Sequence, residues 1–492
     1  MSPETRFLRI DGLTVFAAFA FVAGLAGLAA LDRVGAPQSL VSAGGPILAL
    51  FGFAAFGLSA RNADLSSFVA ARQRLSAVTG GLSATAIAAG VLFCLSEGRA
   101  PSSDPPTLGL ALGLALGALL YAPLLRRFGA TSPADVVATR YPYSPPRILA
   151  AAAIWSGAAL TAFAGFRIAV EAFDSVTSNR LFAEVVVAAI LVFGALPGGL
   201  TGVAACAAAS GAALVGLAAC GYAWGFLTGL PAADVAALAS ALDLGEPAGL
   251  APVAATALAS AAVFASAPPS AASRSVASAV KAGAIAVAIC LALAAAAGGG
   301  TPAASSGRVT TSPVAASLLG ATTVAGALSL ALLGAYQSSR ALGLVLAERL
   351  RRFGPIPSVR LARMRAAELI VLAGCAVCDS HDLLAPRAAL AVGMALMLAF
   401  AAPMLALSAI PRVGPLAASV GALAAVAVSG LRLASRTALP NPTELFETAL
   451  LAAAAAFTAG ALTCLVLPTR ELSRRAGPVV SAPEAIAPVV KP

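Results

Sequence analysis

The chain has 492 residues, of which 60% are hydrophobic and 11% charged, with a mean hydropathy of +0.92, a formal net charge of +10 and a pI near 9.8. Soluble globular proteins carry about 25% charged residues, so the composition excludes water as the main solvent and points to an all-α polytopic membrane protein. In that setting the positive charge reports lysine and arginine retained on one side of a bilayer, not a nucleic-acid partner.

Apolar runs of about 20 residues recur, long enough to cross a hydrocarbon core of about 30 Å as helices. No alternating ten-residue strand pattern accompanies them, so a helical bundle is the way to satisfy the backbone in lipid. Fourteen spans are predicted, at about 12–31, 40–60, 76–96, 106–125, 147–169, 181–197, 201–227, 249–267, 278–299, 313–347, 364–378, 387–410, 413–431 and 445–467. The first lacks a convincing A-x-A cleavage site and is longer than a signal core, so it reads as a retained helix. The third holds Gly80-Gly81 and Gly90, which suit either a helix break or close helix packing.

The fourth span exits at Leu125-Arg126-Arg127 into the polar stretch "FGATSPADVVATRYPYSPPR". Ser132-Pro133-Ala134-Asp135 has the form of a helix start, with Ser as N-cap, Pro at the first position and an acid at the third. That helix is predicted to end near Arg140, because Tyr141 precedes a proline. Its plain role is a connector along the membrane face.

The fifth span carries Arg167 and Glu171, four apart and able to pair on one helix face. Arg167 reads either as a snorkelling cation or as a lure for a carboxylate solute. Glu184 stands near the start of the sixth span, where a helix N-terminus favours an acid. That span ends at Leu196-Pro197-Gly198-Gly199, a natural break. The eighth span contains Pro252, and the tenth is too long for a perpendicular crossing. Thr322 and Thr323 in the tenth read as hydroxyls bonding back to their own helix.

Glu368 opens the eleventh span beneath a basic cluster that it would balance. Cys375-Ala-Val-Cys378-Asp-Ser-His381 offers three soft ligands at most, without a second cysteine pair, and reads as small-residue coincidence at a helix end. The seven cysteines (Cys94, Cys206, Cys220, Cys290, Cys375, Cys378, Cys464) lie mostly in apolar runs and read as small core residues. No Walker-type loop and no Ser-His-Asp arrangement is visible, which argues against an ATP-driven pump or any enzyme.

With the N-terminus cytoplasmic, 23 of the 31 basic residues fall on inside segments, an excess that fits the positive-inside rule. Fourteen crossings then place both termini in the cytoplasm of a multi-pass cell-membrane protein. The Pro/Ala-rich segment 471–492 reads as a disordered tail.

Gly129-x-x-Ser132-x-x-Asp135-x-x-x-x-Arg140 resembles a loop pattern of the sodium:solute symporter family. "ARNADLSSFVAARQRLS" (60–76), with Ala71-Arg72, is similar to the family's Phe-x-x-Ala-Gly-Arg segment. "FGALPGGLTGV" (193–203), "APPSAASRSVASA" (267–279), "GALSLALLGAYQSSRALGLVLAERL" (326–350) and "MLAFAAPMLALSAIPRVGPLAASVGALAAV" (397–426) match further family segments in order. The resemblance covers about 60 to 430 and is nearest the cation/acetate permease-like branch.

The resemblance implies a leucine-transporter-type core of two inverted five-helix repeats, about 76–227 and 249–410, within a transporter unit at 61–410. Helices at 1–60 and 411–470 would flank it. Solute would bind where the first helix of each repeat is broken. A Na+ site would draw on Ser329, with Ser83 and Thr85 as helpers, since a hard cation in a dry midplane needs oxygen ligands. Thr161 and Gly165 match the positions where the family carries a Tyr and a Gln near solute, and Arg167 is the third candidate solute contact. The family's Trp-Thr after the Gly-Gly turn is replaced here by "GVAACAAAS" (202–210), so polar substrate groups are thinned out. The function implied is Na+-coupled symport of a small organic solute such as a monocarboxylate. Open alternatives are a transport-silent relative acting as sensor or partner subunit, and a proton-coupled symporter. Na+ is the only cofactor-like ion implied, the bilayer and the solute are the implied partners, and the oligomeric state is left open.

Overall fold

The computed structural model describes residues 3–60, 65–71, 75–95, 105–141, 145–228, 247–265, 267–299, 313–349, 357–410, 413–434 and 442–466. Each of the fourteen predicted spans carries a helix, and no strand is found among the described residues. Helices α1 (Pro3–Arg33) and α2 (Gln38–Ser59) precede the short α3 (Leu65–Ala70) and the buried α4 (Ala77–Leu95). The fourth span is α5 (Pro105–Leu116), a π turn (Gly117–Tyr121) and α6 (Ala122–Arg127); α7 (Pro133–Arg140) is the connector helix. Then follow α8 (Pro145–Thr177), α9 (Arg180–Gly198), α10 (Leu200–Thr228), α11 (Pro247–Phe264), the short α12 (Pro268–Ala272), α13 (Val276–Gly299) and α14 (Pro313–Arg349). The chain continues through α15 (Pro357–Ser380), α16 (Pro386–Leu396), a second π turn (Met397–Ala401), α17 (Ala402–Ala409), α18 (Pro415–Ala434) and α19 (Pro442–Val466). The predicted tail at 471–492 lies outside the described residues.

Eight helices are long and apolar enough over their described residues to cross a membrane. Large apolar side chains such as Phe19, Phe51, Leu181, Leu431 and Leu465 stand exposed on the bundle surface. Lipid is the solvent such a surface suits. Among lipid tails helices gain little from apolar burial itself, so close packing of small residues supplies the cohesion.

α14 is the axis of the bundle: every residue from 321 to 341 is buried. A Cβ placed on Gly326 would meet Gly90 N at 2.8 Å, and one on Gly334 would meet Ala158 O at 2.6 Å. The same closeness joins Gly165 of α8 to the α14 backbone and Gly157 of α8 to Gly393 of α16. At 37 residues, α14 is about 55 Å long and exceeds a hydrocarbon core of about 30 Å.

Local rules account for the turns. Ser132 caps α7, its Oγ accepting from Asp135 N at 3.2 Å, and the helix stops at Tyr141 before proline. Only Gly199, at φ +53°, separates α9 from α10, in the left-handed region that glycine enters without strain. Each π turn ends two residues before a proline: Pro123 and Pro403 both stand at the second position of the next α segment. A proline ring clashes with the carbonyl four residues back, here Leu119 and Ala399, and the helix widens at that point.

One expectation is corrected. Neither α4 nor α11, the first helices of the two expected repeats, is interrupted within its length. The breaks lie just before α4, where Ala71 takes φ +45°, and just after α11. Leu75 N donates to Ala272 O at 3.0 Å, tying the chain beyond one break to the chain beyond the other. Gly80, Gly81 and Gly90 serve helix contact, against α13 for the first two and α14 for the third.

Candidate functional site

Tyr336 near the α14 C-terminus bonds to Val69 just ahead of α4, so α4 and α14 run antiparallel past the Gly90–Gly326 contact. Ser83 lies seven residues, two turns, before Gly90 and therefore on the same face. Ser329 lies three residues past Gly326, about 60° from the contact direction. On ideal helices Ser83 thus falls on the Gly90 face of α4 and Ser329 within about 60° of the Gly326 face of α14, offset by about 6 Å along the helix axes. Thr85, five residues before Gly90, points about 140° away from that contact direction.

Ser83 Oγ donates to Gly80 O at 2.8 Å, Thr85 Oγ1 to Gly81 O at 3.0 Å, and Ser329 Oγ to Ala325 O at 2.7 Å. All three residues are fully buried. A hydroxyl that spends its hydrogen on a helix carbonyl keeps its oxygen lone pairs. The α4/α14 seam can therefore present hydroxyl oxygens to a cation. Thr322 and Thr323 both donate to Leu319 O at 2.8 Å, the back-bonding read from sequence.

The three solute candidates on α8 separate. Thr161 donates to Gly157 O at 2.8 Å and stands beside Gly393 of α16. Gly165 is closed over by α14, where an added Cβ would meet Ala331 N at 2.7 Å. Arg167 belongs to an ionic cluster at the far end of the helix. Its Nε donates to Glu171 Oε1 at 2.9 Å, as the i,i+4 spacing predicted, and Nη1 donates to Leu384 O at 2.9 Å. Nη2 pairs with Asp382, and buried Asp379 receives Arg180 at 2.9 Å and Arg167 at 3.7 Å. Arg180 also pairs with Glu184 at 3.5 Å; α9 begins at Arg180, so Glu184 lies beyond its first turn and is held by this side chain, not by the helix end. Cys375 and Cys378 are free thiols, and the described residues contain no group of metal-binding side chains.

A second polar cluster escaped the sequence reading. Arg340 of α14 is buried and reaches α7, its Nη2 donating to Asp135 Oδ2 at 2.6 Å and to Thr131 Oγ1 at 2.9 Å. Burial pushes the Asp135 carboxyl up, but the charge of Arg340 and hydrogen bonds from Thr131, Arg340 and Ser132 outweigh it and hold the carboxyl below its ordinary value. Asp135 thus stays ionised at neutral pH. Sequence showed Asp135 as a helix-start acid; nothing local announces a partner 205 residues away. Glu368, read as balancing basic neighbours, is fully buried and accepts a long bond from Ser339 Oγ at 3.4 Å.

No protein-family model and no curated protein matches the chain. Among solved structures the chain is similar to a Na+-coupled sialic acid symporter in a substrate-bound outward-open state, with a TM-score of 0.63 and 14% identity over 86% of this chain and 97% of that one. It is more distantly similar to a mutant manganese transporter from Eremococcus coleocola (TM-score 0.41, 12% identity, 82% and 95% covered) and to inward-facing Mhp1 (0.34, 15%, 84% and 93%). The first of these three shows the fold. The chain is an all-α, multi-pass membrane protein built on a leucine-transporter-type core of inverted five-helix repeats.

Proposed function

We propose that the chain is a secondary active transporter that couples Na+ to symport of a small organic solute, such as a monocarboxylate, with both termini cytoplasmic. The observation that supports it best is the shared fold, which extends over 97% of a symporter that is itself Na+-coupled and carries sialic acid, a carboxylate. In this reading the unit 61–410 does the transport, and Ser83 and Ser329 supply hydroxyl oxygens to Na+ at the α4/α14 seam. Thr85, on the far side of α4, would reach that ion only if α4 rotated. Thr161 would be the solute contact on α8. At Gly165 a solute could enter only if α14 moved away, and at Arg167 a solute carboxylate would have to displace Glu171 or Asp382.

That scarcity of free polar groups favours one second reading, a transport-silent relative acting as a sensor or partner subunit. Uptake of labelled acetate, proline and sialic acid into proteoliposomes, with and without an inward Na+ gradient, separates the two. Gradient-driven uptake of one of them is expected. Ser329→Ala should raise the Na+ concentration for half-maximal uptake roughly tenfold, about 1.4 kcal/mol for one lost oxygen ligand. No uptake of any of the three supports the silent reading, and uptake indifferent to Na+ replaces sodium by protons.

A further inference from the structure

We propose that residues 336–340 of α14 form a latch that holds the α7 face of the bundle shut, with the Arg340–Asp135 pair as its release point. The inference rests on the transporter reading above. Over the buried stretch 321–335 the hydroxyls of Thr322, Thr323 and Ser329 all donate to their own helix. At Tyr336 the pattern changes. Of five consecutive polar residues, Tyr-Gln-Ser-Ser-Arg, four donate to four different elements. Tyr336 Oη donates to Val69 O of α3 at 2.6 Å, and Gln337 Nε2 to Val263 O of α11 at 3.2 Å. Ser338 Oγ donates to Trp155 O of α8 at 3.3 Å and Arg340 to Asp135 of α7, while Ser339 Oγ donates to Tyr336 O of its own helix at 2.8 Å and lies 3.4 Å from Glu368 Oε1 of α15. At 100° per residue, five residues cover the whole circumference of a helix.

The acceptors say what the latch holds. Val69 and Val263 lie in the last turns of α3 and α11, where helix carbonyls lack an intrahelical donor. α14 supplies those donors at both breaks, and the Leu75–Ala272 bond joins the two broken segments to one another. If that face opened, water would satisfy the same carbonyls, so the bonds exchange at little net cost. Arg340 Nε and Glu368 Oε2 are buried without a hydrogen-bond partner. As a fixed brace, apolar packing would serve at least as well as an incompletely satisfied buried pair, and a contact made to be broken is the use that remains.

Hydrogen exchange read by mass spectrometry on the full chain in lipid nanodiscs, without solute or Na+ gradient, tests the latch. Asp135→Asn is expected to speed exchange about tenfold in peptides 65–71, 131–141 and 262–273, while peptides 167–184 and 376–386 on the opposite face stay within about twofold. Tyr336→Phe keeps the ring and removes one bond; it should speed exchange at 65–71 alone, and it decides the matter if Asp135→Asn does not fold. Acceleration confined to 131–141, acceleration equal on both faces, or no effect of Tyr336→Phe at 65–71 overturns the proposal. The assay involves no transport, so its outcome and that of the uptake experiment are independent.

Discussion

At the scale of single residues, the molecule distinguishes glycines that sequence cannot. Gly90 and Gly374 both sit in apolar helices, yet a Cβ on Gly90 would press into the backbone of Gly326 while one on Gly374 meets nothing. Backbone cannot step aside as a flexible side chain can. Gly90→Ala should therefore destabilise the protein by about 1–3 kcal/mol through overpacking. Gly374→Ala should be neutral or stabilising by up to about 1 kcal/mol, from helix propensity alone. Thermal unfolding in detergent compares the two; equal midpoints would mean that α4 and α14 are not in the contact described. The same contrast explains why the hydroxyls were only partly legible. Ser329, Ser83 and Thr85 could be picked out as buried oxygens, but whether they share a seam depends on helix rotation, which places Ser83 towards α14 and Thr85 away from it.

Elements were legible wherever a local rule governs them. The α7 helix followed from Ser132, Pro133 and Asp135, and its cap bond and its end before Pro142 are where those residues put them. The two π turns follow an equally local rule that a hydropathy reading passes over, because it registers the proline and not the carbonyl behind it. If proline is the cause, Pro403→Ala lets the ladder close, and amides across 397–403 should exchange several-fold more slowly than in the wild type. Unchanged exchange would assign the bulge to packing against α19 and α11 instead. The helix breaks were misplaced for a different reason. Glycine pairs inside α4 suggested a break, but those glycines meet α13, and the interruptions fall outside both helices where the backbone bonds to another segment.

For the whole molecule, lipid does much of the specifying. A backbone in hydrocarbon must satisfy itself, so each apolar run of about 20 residues becomes a helix and fourteen could be placed from hydropathy alone. Hydropathy says nothing of which helix meets which, and the central position of α14 emerges only from the bundle. Sidedness is a separate matter that charge governs. An even number of crossings returns the chain to its starting side, and 23 of 31 basic residues then lie with the α7 turn. Single cysteines in a cysteine-free background, probed with a membrane-impermeant maleimide in intact cells, check this at turns the structure defines. A cysteine replacing Ser178, between α8 and α9, or Leu383, between α15 and α16, should label from outside, both positions being exposed. One replacing Gly129, ahead of α7, should label only after the membrane is broken. Labelling of Gly129→Cys from outside would invert the chain and place the Arg340–Asp135 contact on the external face. Labelling of the Ser178 and Leu383 variants on opposite sides would break the parity itself, because six crossings lie between those turns only if α9, α10, α11, α13, α14 and α15 each span.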